Sequence, residues 1–312
     1  MALVLKGSMV AIVTPFKNDA IDEAAFRRLI DWHIEQGTSA IVPCGTTGES
    51  ATLSFEEHDR VIELAVDAVR GRVPVIAGTG SNNTREAIRL TKDAKAAGAD
   101  AALLISPYYN KPTQRGLYLH FKAVAEAVDI PLVLYNIASR TAVNIEPETF
   151  AQLSSVKNIV AVKESSGHLE QMSRIRQLTQ GKLALISGDD PLTLPVLAIG
   201  GVGVISVTAN IVPGDVAAMV KAYFEGRHEE ALQRHQRLLA LTKALFIETN
   251  PIPVKTAMGL LGMIQPEMRL PLCGMSEANE QKLHAAMEAY GLFKAPAGPK
   301  APASRKPKKK DS

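Results

Sequence analysis

Eight short apolar runs, each followed by a stretch of helical periodicity, organise residues 9–225. The runs fall at 9–14, 39–43, 73–77, 101–105, 131–135, 159–163, 183–187 and 202–207. Apolar residues at helical spacing follow each run, at 21–36, 54–70, 83–98, 116–128, 146–153, 169–178, 192–199 and 215–225. A unit of roughly 25–33 residues is what a strand, a crossover helix and two loops require. Leu132-Val133-Leu134 and Val160-Ala161-Val162 are apolar throughout instead of alternating, as strands covered on both faces are. Ser54, three residues before Glu57, gives the second helix a capping-box start. Eight such units predict an α/β fold, specifically a (β/α)8 TIM barrel. An open doubly wound sheet is the alternative, since alternation by itself does not establish closure.

Beyond Gly226 the helical period continues at 229–247, 253–261 and 277–290 without strand-like runs. The chain therefore divides into a barrel at 1–225, a helical C-terminal region at 226–293 and a tail at 294–312. No Pro/Gly-rich linker separates the first two. The tail holds seven basic residues (Lys294, Lys300, Arg305, Lys306, Lys308, Lys309, Lys310) and one acid, Asp311. Without them the formal charge of +3 becomes −3, so the basic balance gives no sign of a nucleic-acid-binding body. With almost no large apolar side chain, the tail is expected to be disordered. An electrostatic tether to an acidic partner is the sharper reading of it.

A content of 46% hydrophobic and 21% charged residues suffices for a sizeable core and excludes a disordered chain. Two cysteines, Cys44 and Cys273, make no disulfide framework and favour a reducing compartment. No run approaches the ~18 apolar residues of a membrane span, and no signal-peptide pattern opens the chain. A cytoplasmic protein is expected.

A barrel places its chemistry where strands give way to loops at the C-terminal face. Those strand ends carry Thr14, Gly45-Thr46-Thr47-Gly48-Glu49, Gly78-Thr79-Gly80, Tyr108-Tyr109-Asn110, Tyr135-Asn136, Lys163-Glu164, Asp189-Asp190 and Ser206. Lys163 closes an apolar run, so partial desolvation should lower its pKa and free an amine for Schiff-base chemistry. A lysine that merely reaches solvent is the bland counterpart. Tyr135 also ends an apolar strand, where its phenol suits proton transfer or simple rim packing. The Gly45–Gly48 turn is able to gather amides and hydroxyls around a carboxylate, and it lacks the spacing of a phosphate loop. The seven histidines show no paired ligand spacing, so no metal is expected. Cys44 has no histidine partner in sequence and reads as a small buried residue. Gly200-Gly201-Val202-Gly203 reads as close packing, because Asp189 and Asp190 would repel a phosphate there.

Together, Gly45-Thr46-Thr47-Gly48-Glu49, Tyr135-Asn136-Ile137 with Arg140-Thr141, and Val162-Lys163-Glu164-Ser165 resemble the dihydrodipicolinate synthase family of class I, pyruvate-dependent aldolases. The resemblance runs from about residue 7 to about residue 292 and excludes the tail. It implies a cofactor-free lyase that condenses pyruvate with L-aspartate 4-semialdehyde, the first committed step of the diaminopimelate route to lysine. Lys163 would form the imine. Tyr135, Thr46 and Tyr109 would relay protons, with Tyr109 reaching in from a neighbouring subunit. Thr47 would help hold the pyruvate carboxylate, the carbonyl of Ile205 would line the site, and Arg140 would bind the carboxylate of the aldehyde. The resemblance also implies a homotetramer. Neuraminate lyases and keto-deoxy-sugar acid aldolases share the lysine and tyrosine but usually read Gly-Ser-Thr-Gly-Glu and lack the arginine. A pyruvate-binding protein without turnover is the alternative from another class, and the full relay speaks against it. Ser50, Ala51, His58, Asn82, Glu86 and Tyr108 match an inhibitory lysine pocket, from which Phe55 departs because histidine is frequent there.

Overall fold

A computed structural model describes Leu3 and residues 5–293 of the chain. The basic tail expected to be disordered at 294–312 lies outside the described residues. Eight parallel strands form the centre of the fold. They are β1 (Gly7–Ala11), β2 (Ala40–Val42), β3 (Ile76–Gly78) and β4 (Ala101–Ile105), followed by β5 (Leu132–Asn136), β6 (Ile159–Glu164), β7 (Ala184–Ser187) and β8 (Gly203–Ser206). The strand order is β2-β1-β8-β7-β6-β5-β4-β3. The two ends meet through a parallel bridge, Ile41 to Val75. Gly78 N–H also donates to the Pro43 carbonyl at 2.9 Å. The sheet is thus closed into the expected TIM barrel, and the open alternative falls.

Helices α1 (Glu23–Glu35), α2 (Phe55–Val69), α3 (Thr84–Ala96) and α4 (Gln114–Ala127) follow the first four strands. The one-turn α5 (Ala138–Thr141) and α6 (Pro147–Leu153) follow β5, and α7 (Leu169–Leu178), α8 (Thr193–Ala198) and α9 (Pro213–Phe224) complete the ring. Ser54 caps α2 as expected: its hydroxyl accepts from Glu57 N–H while the Glu57 carboxylate accepts from Ser54 N–H. Two small elements escape the periodicity, α5 and a hairpin of two-residue strands, Phe16–Lys17 and Ala20–Ile21. The hairpin turn uses Asn18 and Asp19 at φ of 54° and 60°, a left-handed pair that Asn and Asp tolerate best.

Strand alternation sorts the side chains into layers. Met9, Val42, Ile76, Leu103, Val133 and Ile205 fill the barrel interior. Val10, Ile41 and Val204 face outward into one apolar cluster, and Leu104, Leu134 and Val162 into another. The C-terminal helices α10 (His228–Ala244), α11 (Ile252–Leu260) and α12 (Glu277–Tyr290) add Leu241, Val254, Met258 and Leu283 to the first of these clusters. They share the barrel's core and build none of their own.

Gly78 lies at the closing seam, where an added Cβ would sit 2.1 Å from the Cys44 carbonyl oxygen. At Gly45, the residue directly after that carbonyl, an added Cβ would meet nothing within 4 Å. Backbone cannot yield as a flexible side chain does, so Gly78→Ala should destabilise by about 2–3 kcal/mol. Gly45→Ala should stay within about 1 kcal/mol. Chemical denaturation reads both, and equal midpoints for the two variants would show that the seam is not tight.

Candidate active site

Alternation along β5 and β6 fixes which side chains enter the barrel. Ala161 and Val133 point inward, so Lys163 and Tyr135, two residues on, point inward at the mouth. Tyr135 and Lys163 are register partners, and the Lys163 Nζ lies 4.0 Å from the centroid of the Tyr135 ring. Both side chains are buried, at 6% and 5% exposure. Burial lowers the Lys163 pKa to about 8, while the nearby Asp190 and Asp189 carboxylates pull it back up and Arg140 opposes them. Burial pushes the Tyr135 phenol up to about 12, so it carries its proton at neutral pH. The Ser165 hydroxyl beside it lowers the phenol somewhat, yet makes no hydrogen bond of normal geometry. Space for the lysine stem comes from Gly188, where a Cβ would lie 3.0 Å from the Lys163 Cε and 2.0 Å from the Ser165 Oγ.

The turn after β2 supplies the second part of the site. Gly48 and Glu49 N–H groups fold back onto the Gly45 and Thr46 carbonyls at 3.0 and 3.1 Å. That commits two of the amides expected to serve a ligand. The N–H groups of Thr46 and Thr47 have no intrachain acceptor among the described residues, so they are the donors left for an anion. Thr47 is buried and its hydroxyl accepts from the Asn250 side-chain amide at 3.0 Å. Thr14 Oγ1 donates to the Gly48 carbonyl at 2.7 Å. Glu49 is fully buried, and its carboxylate meets the Lys255 ammonium at 2.5 Å. Cys44 packs beneath the turn with its thiol towards the His58 carbonyl at 3.6 Å, and burial raises its pKa. A thiol held protonated in this way is no nucleophile.

A cavity of about 670 Å³ opens at the turn and takes in Thr46, Tyr135, Arg140 and Asn250, while Lys163 and Thr47 are not among its lining residues. Arg140 sits on α5 with its side chain exposed, and its Nη2 donates to the Asn250 carbonyl at 2.9 Å. Asn250 thus touches both the turn and the guanidinium. Ile205 lies on β8 inside the barrel with Tyr135. Five of the six lysine-pocket candidates, Ser50, Ala51, His58, Glu86 and Tyr108, line the same cavity. The sixth, Asn82, stands outside it and donates to the Tyr108 carbonyl at 3.2 Å. Tyr109 is not brought to this chain's own cavity: it is 89% exposed, with φ of 73°. Among the described residues no cluster of three or more His, Cys, Asp or Glu is arranged to hold a metal, and no helix is long and apolar enough to cross a membrane.

Behind the mouth, the outward-facing neighbours of Lys163 and Tyr135 form a closed polar network. Asn136 Nδ2 donates to Glu164 at 2.7 Å and to Asn144 at 2.8 Å, while its Oδ1 accepts from Ile145 N–H at 2.9 Å. Ser166 donates to Glu164 through both its N–H and its hydroxyl. Glu164 is fully buried, which raises its pKa. The network pins the segment that carries Arg140. Asn250, Lys255 and the network members Asn144, Ile145 and Ser166 are parts of the candidate site that the sequence motifs leave out, while Asn136 and Glu164 fall within them. One local signal does exist: Lys255 is a lone charge in the apolar stretch Ile252-Pro253-Val254-Lys255-Thr256-Ala257-Met258.

Known proteins match this arrangement along nearly the whole chain. Residues 4–290 match the dihydrodipicolinate synthetase family. A 4-hydroxy-tetrahydrodipicolinate synthase of Geotalea uraniireducens is 60% identical over 288 residues, which is 92% of this chain and 99% of that protein. The chloride-inhibited dihydrodipicolinate synthase of Acinetobacter baumannii, solved with pyruvate, is 45% identical with a TM-score of 0.91, covering 93% of this chain and 100% of that one. The enzyme of Cyanidioschyzon merolae, solved with lysine bound, is 44% identical with a TM-score of 0.89, covering 92% and 99%. With its barrel closed, its strand-end lysine buried against a tyrosine and its relatives agreeing end to end, this chain belongs to the dihydrodipicolinate synthetase family.

Proposed function

We propose that this enzyme condenses pyruvate with L-aspartate 4-semialdehyde to give 4-hydroxy-tetrahydrodipicolinate and water. The observation that carries the reading is the buried Lys163 amine, lowered to about 8 and resting on the Tyr135 ring. The neutral amine attacks the keto carbon of pyruvate, and the carbinolamine loses water to become an imine. Tyr135, protonated at neutral pH, donates the proton that leaves with that water, with Thr46 and a partner subunit's tyrosine continuing the relay. Loss of a methyl proton gives an enamine, whose carbon adds to the aldehyde. The amino group then attacks the imine carbon, closes the ring and releases Lys163 unchanged. The free N–H groups of Thr46 and Thr47 suit the pyruvate carboxylate, and the Ile205 carbonyl borders it. The exposed Arg140 guanidinium suits the carboxylate of the aldehyde.

Two features extend the reading to the assembly and its control. Tyr109, 89% exposed in a left-handed conformation, supports an interface at which it enters a neighbour's site within a homotetramer. The cavity rim offers the Glu86 carboxylate, which accepts from Ser81, to the amines of a bound L-lysine. Phe55 stacks under the Arg89 guanidinium at 4.4 Å and replaces a polar group at that rim. Lysine is therefore expected to inhibit with altered potency.

Borohydride with pyruvate should fix a three-carbon adduct on Lys163, and Lys163→Ala should abolish both adduct and turnover. The unprotonated amine is the reactive form, so the trapping rate at low pyruvate should fall about tenfold per pH unit below about 8 and level off above it. A midpoint near the ordinary lysine value would mean that the amine is not desolvated. Arg140→Ala should cut kcat/KM for the semialdehyde about 100-fold, as loss of a charged hydrogen-bonding partner does, while pyruvate trapping holds. Equal damage to both steps would make its role architectural. An L-lysine titration of wild-type activity should show partial or full inhibition; a flat response to high millimolar concentration would remove the regulatory pocket.

A further inference from the structure

Lys255 is a second buried lysine, and the reaction described above does not use it. Its side chain and that of Glu49 are both fully buried, 2.5 Å apart, more than 200 residues distant in sequence. Burying such a pair costs more desolvation than its attraction is certain to return, so stability alone is a poor reason to keep one. Its geometry suggests another reason. The Lys255 Nζ donates to Glu49 Oε1 and to the Thr14 carbonyl at 3.0 Å, and it lies 4.3 Å from the Phe16 ring centroid. Each face of the ammonium has a partner. Thr14 in turn donates through its hydroxyl to Gly48 at 2.7 Å, and Glu49 Oε2 accepts from Arg269 N–H at 3.2 Å. A circuit therefore runs from the end of β1 through the turn after β2 to α11.

Glu49 adopts φ of 54°, a left-handed conformation that a non-glycine residue keeps only when its surroundings hold it there. It directly follows Gly48, so its anchoring sets the direction in which the turn leaves β2. That direction decides where the free N–H groups of Thr46 and Thr47 point. A second tie from the start of α11, Asn250 to Thr47, fixes the same turn from the other side. We infer that Lys255 and Glu49 are positioning residues that hold the Gly45–Gly48 turn in the geometry that receives the keto-acid carboxylate. The inference rests on the reading of that turn given under the proposed function. Neither side chain has any exposed surface, so neither touches substrate.

The test compares Glu49→Gln, Lys255→Met, their double variant and Thr47→Val in the full chain. Lys255→Met alone strands a buried carboxylate and is expected to lose folding stability. The double variant is neutral, and Glu49→Gln keeps the shape of the wild type. Borohydride trapping gives the half-saturating pyruvate concentration and the pH midpoint of the amine; thermal melting reports folding. The expected result is a half-saturation raised about tenfold in Glu49→Gln and the double variant, with the pH midpoint unchanged. Such a shift marks a misplaced turn and not a general loosening. Folded variants that bind pyruvate as the wild type does, while Thr47→Val binds it weakly, would overturn the positioning role. Thr47→Val keeps the amide but loses the hydroxyl that Asn250 holds. Wild-type half-saturation in that variant would show that the turn's ties do not govern carboxylate binding and would overturn the reading of the turn, and the inference with it.

Discussion

Desolvation of one amine at the mouth of an apolar barrel is the constraint around which the site is arranged. The chain buries two lysines near that mouth and treats them in opposite ways. Lys255 is surrounded by acceptors, with a carboxylate, a carbonyl and an aromatic face in contact. Lys163 has only the face of Tyr135 and the more distant influence of two aspartates. Burial lowers both, but at Lys255 the Glu49 charge works against the shift and the nitrogen is fully enclosed. The proposed nucleophilicity of Lys163 thus rests on what is withheld from that lysine. An amine with a full set of partners is an anchor, and one denied them is a reagent.

The alternation of a β-strand lets neighbouring residues divide that work. Lys163 and Tyr135 point into the barrel mouth, while the next residue on each strand, Glu164 and Asn136, faces away into the polar network. Every hydrogen bond made behind the strands narrows the range of positions open to the groups in front. Glu164 is a buried carboxylate without a cation, tolerable because Asn136 and both donors of Ser166 satisfy it. The same network reaches Asn144 and Ile145 and so limits how far α5, with Arg140, can move from the lysine. The spacing between Lys163 and Arg140 is thereby restrained by backbone-anchored polar groups.

Much of this is legible in the chain before any coordinates are considered. The continuous apolar runs and their helical partners specify eight units, and β4 and α12 begin and end where periodicity puts them. Lys163 and Tyr135 stand out because a polar residue closing an apolar strand has few structural reasons to be there. Arg140 on the one-turn α5 and Tyr109 on a loop, by contrast, lie in stretches without periodicity, and only the resemblance to a family singles them out. The hairpin at Phe16–Lys17 and Ala20–Ile21 is too short for an alternation signal, although Asn18-Asp19 marks its turn. Asn250 and Lys255 are hidden for a different reason: their partners lie 203 and 206 residues away, and no local pattern encodes a contact of that range.

Those long-range contacts explain why the helical region belongs with the barrel. A hydroxyl-bearing turn after a three-residue strand has little intrinsic rigidity, and its own amides close only two hydrogen bonds. Thr14 adds one tie from the end of β1, and further restraint comes from residues 250, 255 and 269, all beyond the last barrel strand. Arg269 also reaches Glu57 on α2, the Thr52 carbonyl and the Asp19 carboxylate and carbonyl in the hairpin, so one side chain braces three segments around the cavity. A barrel ending at residue 225 would retain its lysine and tyrosine but would lose the ties that aim the Thr46 and Thr47 amides. The eight strands create the solvent-poor setting that lowers the Lys163 pKa, and residues 250, 255 and 269 of the region after them tie down the Gly45–Gly48 turn beside it. Reactivity and orientation therefore come from different stretches of the chain, joined through a shared apolar core.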